Sequence, residues 1–271
     1  MKKKSILAMI MVAAFALTAC GGGGGDTSAP AGDSSAPAAS GNETLIVGFD
    51  QSFPPMGFKD AKGEFTGFDI ELAKLAAEKM GYDISLQPID WDSKDAELDT
   101  GNINCIWNGF TMTGREDKYT FSKPYMQNRQ VLVVKKDSDI KALADLKGKT
   151  IELQQGSTAE NALNDNGDFK DSLGTVTMVP ENMTALTDLE QGSCDAVLMD
   201  EVVARYNIAQ GREFKVLDEA MSEEEYAVGF KLGNEDLAKK VDAALEELAK
   251  EGKLKELSEK YFKEDITLLG K

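Results

Sequence analysis

The chain contains no histidine. That absence removes Ser-His-Asp and Cys-His nucleophile systems, imidazole general catalysis and most zinc sites. Cysteine is scarce, at three residues. Cys105 and Cys194 sit in short apolar runs, 103–107 and 194–198, where a free cysteine behaves as a small apolar residue. An oxidising compartment permits a disulfide, but the two runs are assigned below to different lobes. The chain has no G-x-S-x-G, no G-x-G-x-x-G and no P-loop. The glycine run at 21–25 is linker rather than a phosphate cradle. Positive charge is outnumbered, with 30 Lys and Arg against 47 Asp and Glu. Removing Lys2, Lys3 and Lys4 leaves 27 of the 30 basic residues against 47 acidic ones, a net of −20. Such a surface argues against nucleic acid as a partner and otherwise speaks to solubility.

What is present begins with a leader. Met1-Lys-Lys-Lys is a positive n-region, and residues 6–19 are apolar but too short for a bilayer span of ~20 residues. Residues 1–19 therefore read as a secretion signal outside the fold. The segment Leu17-Thr-Ala-Cys20 resembles a bacterial lipoprotein cleavage box. That resemblance implies a lipidated Cys20 and, with two or more acyl chains, a firm membrane anchor. Residues 20–42 continue in Gly, Ser, Ala and Pro and cannot build a core. They form a flexible tether averaging roughly 26 Å end to end, at ~5–6 Å × √n.

Residues 43–271 suffice for two lobes of ~100 residues each. Strand-like and helix-like runs alternate along them, which predicts an α/β fold. Residues 45–49 read as a strand, followed by a loop with Pro54 and Pro55 and a helix entered at Asp69. The prolines keep that loop out of a sheet ladder. Asp50 and Phe53 then sit at the carboxyl end of the first strand, where open α/β sheets bind ligands. Further strands are expected at 103–107, 131–134, 151–153 and 196–199. Helices are expected at 69–80, 92–100, 159–164, 180–190, 200–209 and 234–251, with a last one carrying Leu254, Leu257, Tyr261 and Phe262. The segment 98–108 is weakly echoed by 189–199.

Ordered landmarks carry a resemblance. They are Phe49-Asp-Gln-Ser-Phe-Pro-Pro-Met-Gly-Phe58, Gly67-Phe-Asp-Ile-Glu-Leu-Ala73, Thr111-Met-Thr113 with Arg115, and Phe121-Ser-Lys-Pro-Tyr125. After them come Asp145-Leu-Lys-Gly-Lys149, Gly156-Ser-Thr158, Asp195-Ala-Val-Leu-Met-Asp200 and Tyr226-Ala-Val-Gly-Phe230. Over about 45–263 the chain resembles the bacterial extracellular solute-binding proteins, in the polar amino-acid branch that serves ABC transporters. The resemblance implies a two-lobed periplasmic-binding-protein type II fold with two hinge crossings, near 125–130 and 222–226. Lobe 1 would be 43–126 plus 227–271, and lobe 2 would be 127–226.

A free amino acid presents a carboxylate, an ammonium and one side chain. Arg115 is the expected carboxylate partner, because a guanidinium fork matches it in bidentate fashion. Thr111 and the Gly109 amide add donors, and Ser157 and Thr158 open a helix whose N-terminus favours an anion. The turn between Thr113 and Arg115 is one residue shorter than the family pattern. Asp200 is expected to hold the ammonium and to cap the helix that follows it. Phe53 and Trp91 sandwich the ligand side chain, whereas Trp107 belongs to the core. Asp50, Asn108, Gln154 and Met199 read that side chain. Asp50 with two aromatics suits Lys or Arg; Asn108 and Gln154 equally suit an amide.

The reading is thus a monomeric, lipid-anchored binding protein on the outer face of a membrane, in a Gram-positive-type envelope. It delivers a basic or amide amino acid to an ABC permease and needs no cofactor, metal or catalytic residue. A sensory receptor and a lyase on the same fold are the rivals.

Overall fold

The computed structural model describes residues 42–271. The leader, Cys20 and the linker up to residue 41 lie outside the described residues. The first sheet orders its strands as Asp83–Pro88, Thr44–Phe49, Cys105–Ile106, Gly229–Lys231 and Tyr119–Phe121. The first three run parallel; Gly229–Lys231 is antiparallel to both of its neighbours. The second sheet repeats the scheme with Thr175–Val179, Thr150–Gln154, Ala196–Asp200, Met126–Lys135 and Phe214–Tyr226. Its first three strands are parallel and its last two pairings antiparallel. Each parallel set is connected through helices, as parallel pairing requires.

The loop with the two prolines is more ordered than its sequence suggests. Ser52–Phe53, Gly57–Lys59 and Phe65–Thr66 form a separate three-stranded sheet, with Pro54 and Pro55 in the turn between the first two. The prolines thus stay off the ladders, as their missing N–H demands. The helix Phe68–Met80 follows and buries Leu72, Ala73, Ala76 and Ala77. It ends at Gly81, whose left-handed backbone carries its amide to Glu78 and that of Tyr82 to Ala77. Glu235–Lys250 packs on that helix through the stripe Val241, Ala244, Leu245 and Leu248.

Met126–Lys135 and Phe214–Tyr226 are the two long strands, and they pair from Tyr226↔Met126 to Phe214↔Lys135. Their paired ends lead directly into first-sheet residues: Tyr125 N–H donates to Tyr226 O, and Ala227 N–H to Phe110 O. Cys105 and Cys194 are both buried and free; Cys105 lies in the first sheet and Cys194 just before the strand Ala196–Asp200 of the second. No helix among the described residues is long and apolar enough to cross a membrane.

Candidate functional site

The parallel strands of the two sheets aim their carboxyl ends at one another, and the polar side chains of the chain collect there. Phe49 is followed by Asp50, Pro88 by Trp91, and Ile106 by Asn108; opposite them stand Gln154 and Asp200 at the ends of their strands. Asp50, Phe53 and Trp91 line a single cavity. The segment after Cys105–Ile106 adds Asn108, Gly109, Thr111 and Arg115 to its wall. The second sheet contributes Gln154, Ser157, Thr158 and Asp200. The cleft is shut to about 10 Å³ of free room, roughly one water, so an amino acid enters only when the sheets part.

Met199 is not brought to this cavity. It is wholly buried in the main core, because successive strand residues point to opposite faces and Asp200 takes the cleft side. Trp107 is likewise wholly buried in that core.

Three charged groups in the cavity have no ionic partner among the described residues. Arg115 is 7% exposed, lies 4.9 Å over the Phe110 ring and forms no salt bridge. Burial pushes its guanidinium down from its usual range, and nearby Tyr119 and Glu224 oppose that push. Asp50 is 4% exposed and its carboxyl is pushed up to about 6, chiefly by burial. Its Oδ1 accepts from Ser52 N–H at 2.7 Å and its Oδ2 from Gln154 Nε2 at 2.9 Å. Asp200 accepts through Oδ1 from Asn128 Nδ2 (2.7 Å), Gln130 Nε2 (2.9 Å) and Tyr226 OH (2.6 Å). Burial raises its carboxyl first, and the Glu224 carboxylate raises it further.

Several donors expected for a ligand are occupied. The Gly109 N–H donates to Asp69 Oδ2 at 2.5 Å. Asp69 is fully buried beneath the loop, and burial pushes its carboxyl up to about 7. Trp107 Nε1 and Tyr125 OH lie close enough to hold that carboxyl down, but neither meets hydrogen-bond geometry. Gly109 itself must be glycine. Its φ is 56°, and a Cβ there would stand 2.9 Å from the Tyr226 ring and 3.1 Å from the Phe53 ring. The Thr111 hydroxyl donates to Glu224 Oε2 at 2.9 Å. The Ser157 hydroxyl donates to Gln154 O at 2.7 Å and makes no cap on the helix Thr158–Asp165. Asp200 precedes Glu201–Ala209 but its side chain does not cap that helix either.

The amide side chains expected to read a ligand line the cavity and also tie its own residues together. Asn108 Oδ1 accepts from Asp50 N–H at 3.0 Å. Gln154 donates to Asp50 and to Pro180 O, both at 2.9 Å, and accepts from Asn182 Nδ2 at 3.0 Å. Sequence reasoning missed Asn128, Gln130, Glu224 and Lys94. Asn128 and Gln130 alternate on one strand, as do Glu224 and Tyr226 on its partner, so each pair shares a face. That period-two placement of polar residues in the crossing strands was the available signal.

A larger groove, about 890 Å³, lies behind the paired strands. Of its basic groups, Arg129 and Arg205 pair with Glu201 and Lys260 with Glu71, while Lys263 and Lys271 reach only the backbone carbonyls of Lys260 and Asp265. The small cavity, with its unpaired buried charges, is the candidate site.

Known proteins resemble this chain over most of its length. The model of bacterial extracellular solute-binding proteins, family 3, matches residues 45–264. The L-cystine-binding protein TcyJ of Escherichia coli K12 is 36% identical over 228 residues, covering 83% of this chain and 84% of its own. The arginine-binding extracellular protein ArtP of Bacillus subtilis is 32% identical over 270 residues, 97% of this chain and 98% of its own. Among solved structures, a substrate-binding protein of an ABC uptake transporter from Streptococcus pneumoniae, with bound histidine, superposes with a TM-score of 0.80. It is 39% identical and covers 83% of this chain and 94% of its own. The fold is therefore the two-lobed one of amino-acid-binding proteins, and the chain belongs to the bacterial extracellular solute-binding proteins, family 3.

Proposed function

We propose that this protein is the substrate-binding component of an amino-acid ABC importer, and that it captures an amino acid with a cationic side chain without acting on it chemically. One observation carries the reading: one unpaired buried guanidinium and two unpaired buried carboxylates line the same cavity. A cationic amino acid is their complement. Its carboxylate meets Arg115, its ammonium meets Asp200, and its side chain reaches Asp50 between Phe53 and Trp91. An amide side chain suits the site less, because it carries no charge for Asp50 and both polar atoms of the Gln154 amide are already engaged, although Asn108 Nδ2 has no partner among the described residues. L-Cystine is a second reading, favoured by the Escherichia coli relative. Its distal ammonium also supplies a cation for Asp50.

In this reading residues 43–126 plus 227–271 form one lobe and 127–226 the other. The lobes close on ligand through contacts made better in the closed state. Cys20 carries the lipid that fixes the protein to the outer face of the membrane, beside its permease. The test is calorimetric titration of the domain 43–271 with the common amino acids. L-Arginine or L-lysine is expected to bind with Kd near or below ~1 µM, about −8 kcal/mol. If no amino acid binds tighter than ~1 mM, about −4 kcal/mol, the reading fails.

A further inference from the structure

We infer that Glu224 is a positioning residue for the ligand's ammonium group, forming with Asp200 a two-carboxylate receptor that acts on the ligand through Thr111. The inference rests on the amino-acid-binding reading above.

Glu224 lies on Phe214–Tyr226 opposite Asn128 and is 6% exposed. Its Oε2 accepts from Thr111 Oγ1 at 2.9 Å, from Asn128 Nδ2 at 3.1 Å and from Gln130 Nε2 at 3.1 Å. The same two amide nitrogens donate to Asp200 Oδ1, at 2.7 and 2.9 Å. Two carboxylates from different strands are thus clamped side by side. Neither has a salt bridge among the described residues. Arg115 and Tyr226 also face the pair, and Tyr125 lies near Tyr226. Buried like charges in contact are costly. The arrangement makes sense where a cation arrives to join them.

The hydroxyls of the cleft wall point the same way. A threonine hydroxyl has one hydrogen and two lone pairs. Thr111 gives its hydrogen to Glu224, so it offers the cavity only lone pairs. Thr158 accepts from Gln130 Nε2 at 3.1 Å, and its own hydrogen has only the long contact to Thr111 Oγ1 to serve, which a ligand carboxylate can replace. The two hydroxyls lie 3.4 Å apart. Thr158 is set to serve a carboxylate and Thr111 an ammonium. Glu224 sets the second polarity, and a neutral residue there releases it.

The test uses Glu224→Gln in the domain 43–271. Wild-type and variant proteins are titrated with L-arginine, L-lysine, L-histidine and L-cystine. The tightest ligand is then compared with its des-amino analogue, which for L-arginine is 5-guanidinopentanoate. The variant is expected to weaken the amino acid at least 10-fold and the analogue less than twofold. The unfolding midpoint of the ligand-free variant should hold or rise, since a buried charge has been removed from beside Asp200. Where the analogue binds too weakly to measure, a cycle with Thr111→Val decides. That change should weaken the wild type but cost nothing more in the Glu224→Gln background. Equal loss for both ligands, additive losses in the cycle, unchanged affinity, or a midpoint that falls with affinity overturns the inference and makes Glu224 a strand tie. If the wild type binds none of the four amino acids, the binding reading fails and this inference with it. If it binds one and the variant is indifferent, only this inference falls.

Discussion

Arg115 is buried, unpaired and held over Phe110 by its aromatic face rather than by a carboxylate. Such a cation contributes little to the stability of the empty protein, so its fork is free for a ligand. Arg115→Lys keeps the charge and loses the bidentate geometry. It should weaken amino-acid binding by about 1.5–3 kcal/mol, roughly 10- to 150-fold. The melting midpoint of the ligand-free protein should change little. Calorimetry and thermal unfolding check the two halves; equal affinity in the variant would remove Arg115 from carboxylate binding. Charged residues just past strand ends were legible because position and chemistry coincide there. Glu224 was not, because Glu223-Glu-Glu225 reads as a solvated charge run. Its two-residue spacing from Tyr226 puts the two on one face, and pairing with Asn128 shows that this face turns inward. Asp69 was legible as a helix start, but nothing local shows that this start lies under the Gly109 loop.

At the scale of elements, the parallel strands of each sheet place loops at one end, and the two sets of loops meet. The sequence rhythm predicted four of the six parallel strands and most of the helices, but not the strands Asp83–Pro88 and Thr175–Val179. It did not predict the small sheet 52–66, whose strands of two or three residues are too short to show a period. Nor did it mark Lys94, at the start of a polar helix, whose ammonium lies 5.5 Å over the nearby Trp91 ring and is also covered by residues far along the chain. Lys94 Nζ donates to Gly156 O at 3.1 Å, across from one sheet's loops to the other's. Beside it Gln155 Nε2 donates to Asp92 Oδ2 at 3.0 Å. Gly156 permits the approach: with φ 69°, a Cβ there would lie 3.1 Å from Asp92 Oδ1. These bonds join the two sets of loops beside the cavity, so in the closure reading proposed above they act as a latch. Lys94→Met should speed ligand dissociation several-fold and leave the association rate within about twofold, since affinity changes in one interface fall mostly on the off-rate. Stopped-flow Trp fluorescence measures both rates. An unchanged off-rate would mean that the latch adds nothing to closure.

At the scale of the whole molecule, the buried carboxyls couple stability and binding to pH in opposite directions. Burial raises Asp50 to about 6 and Asp69 to about 7, and raises Asp200 as well. A carboxyl whose folded pKa lies above its unfolded value binds its proton better in the native state. Its stabilising contribution is complete below the unfolded pKa and is lost as pH rises through the folded one. Carboxylates held low by basic partners, such as Glu71 with Lys260 and Glu201 with Arg129, have the opposite sign. They lose stability only as pH falls below the ordinary carboxylate range, outside the window from pH 5 to 8. The ligand-free domain should therefore melt highest near pH 5 and progressively lower towards pH 8. Ligand affinity should run the other way, because protonated Asp50 and Asp200 cannot hold cations. Asp69 makes the two effects separable: it lies beneath the cavity wall, so Asp69→Asn should flatten the stability profile more than the affinity profile. Binding near pH 6 should also release protons, giving titration heats that differ between phosphate and Bis-Tris buffers. A melting midpoint that climbs from pH 5 to 8, with affinity flat over the same range, would mean that these carboxyls are charged throughout and do not compete with the ligand for protons.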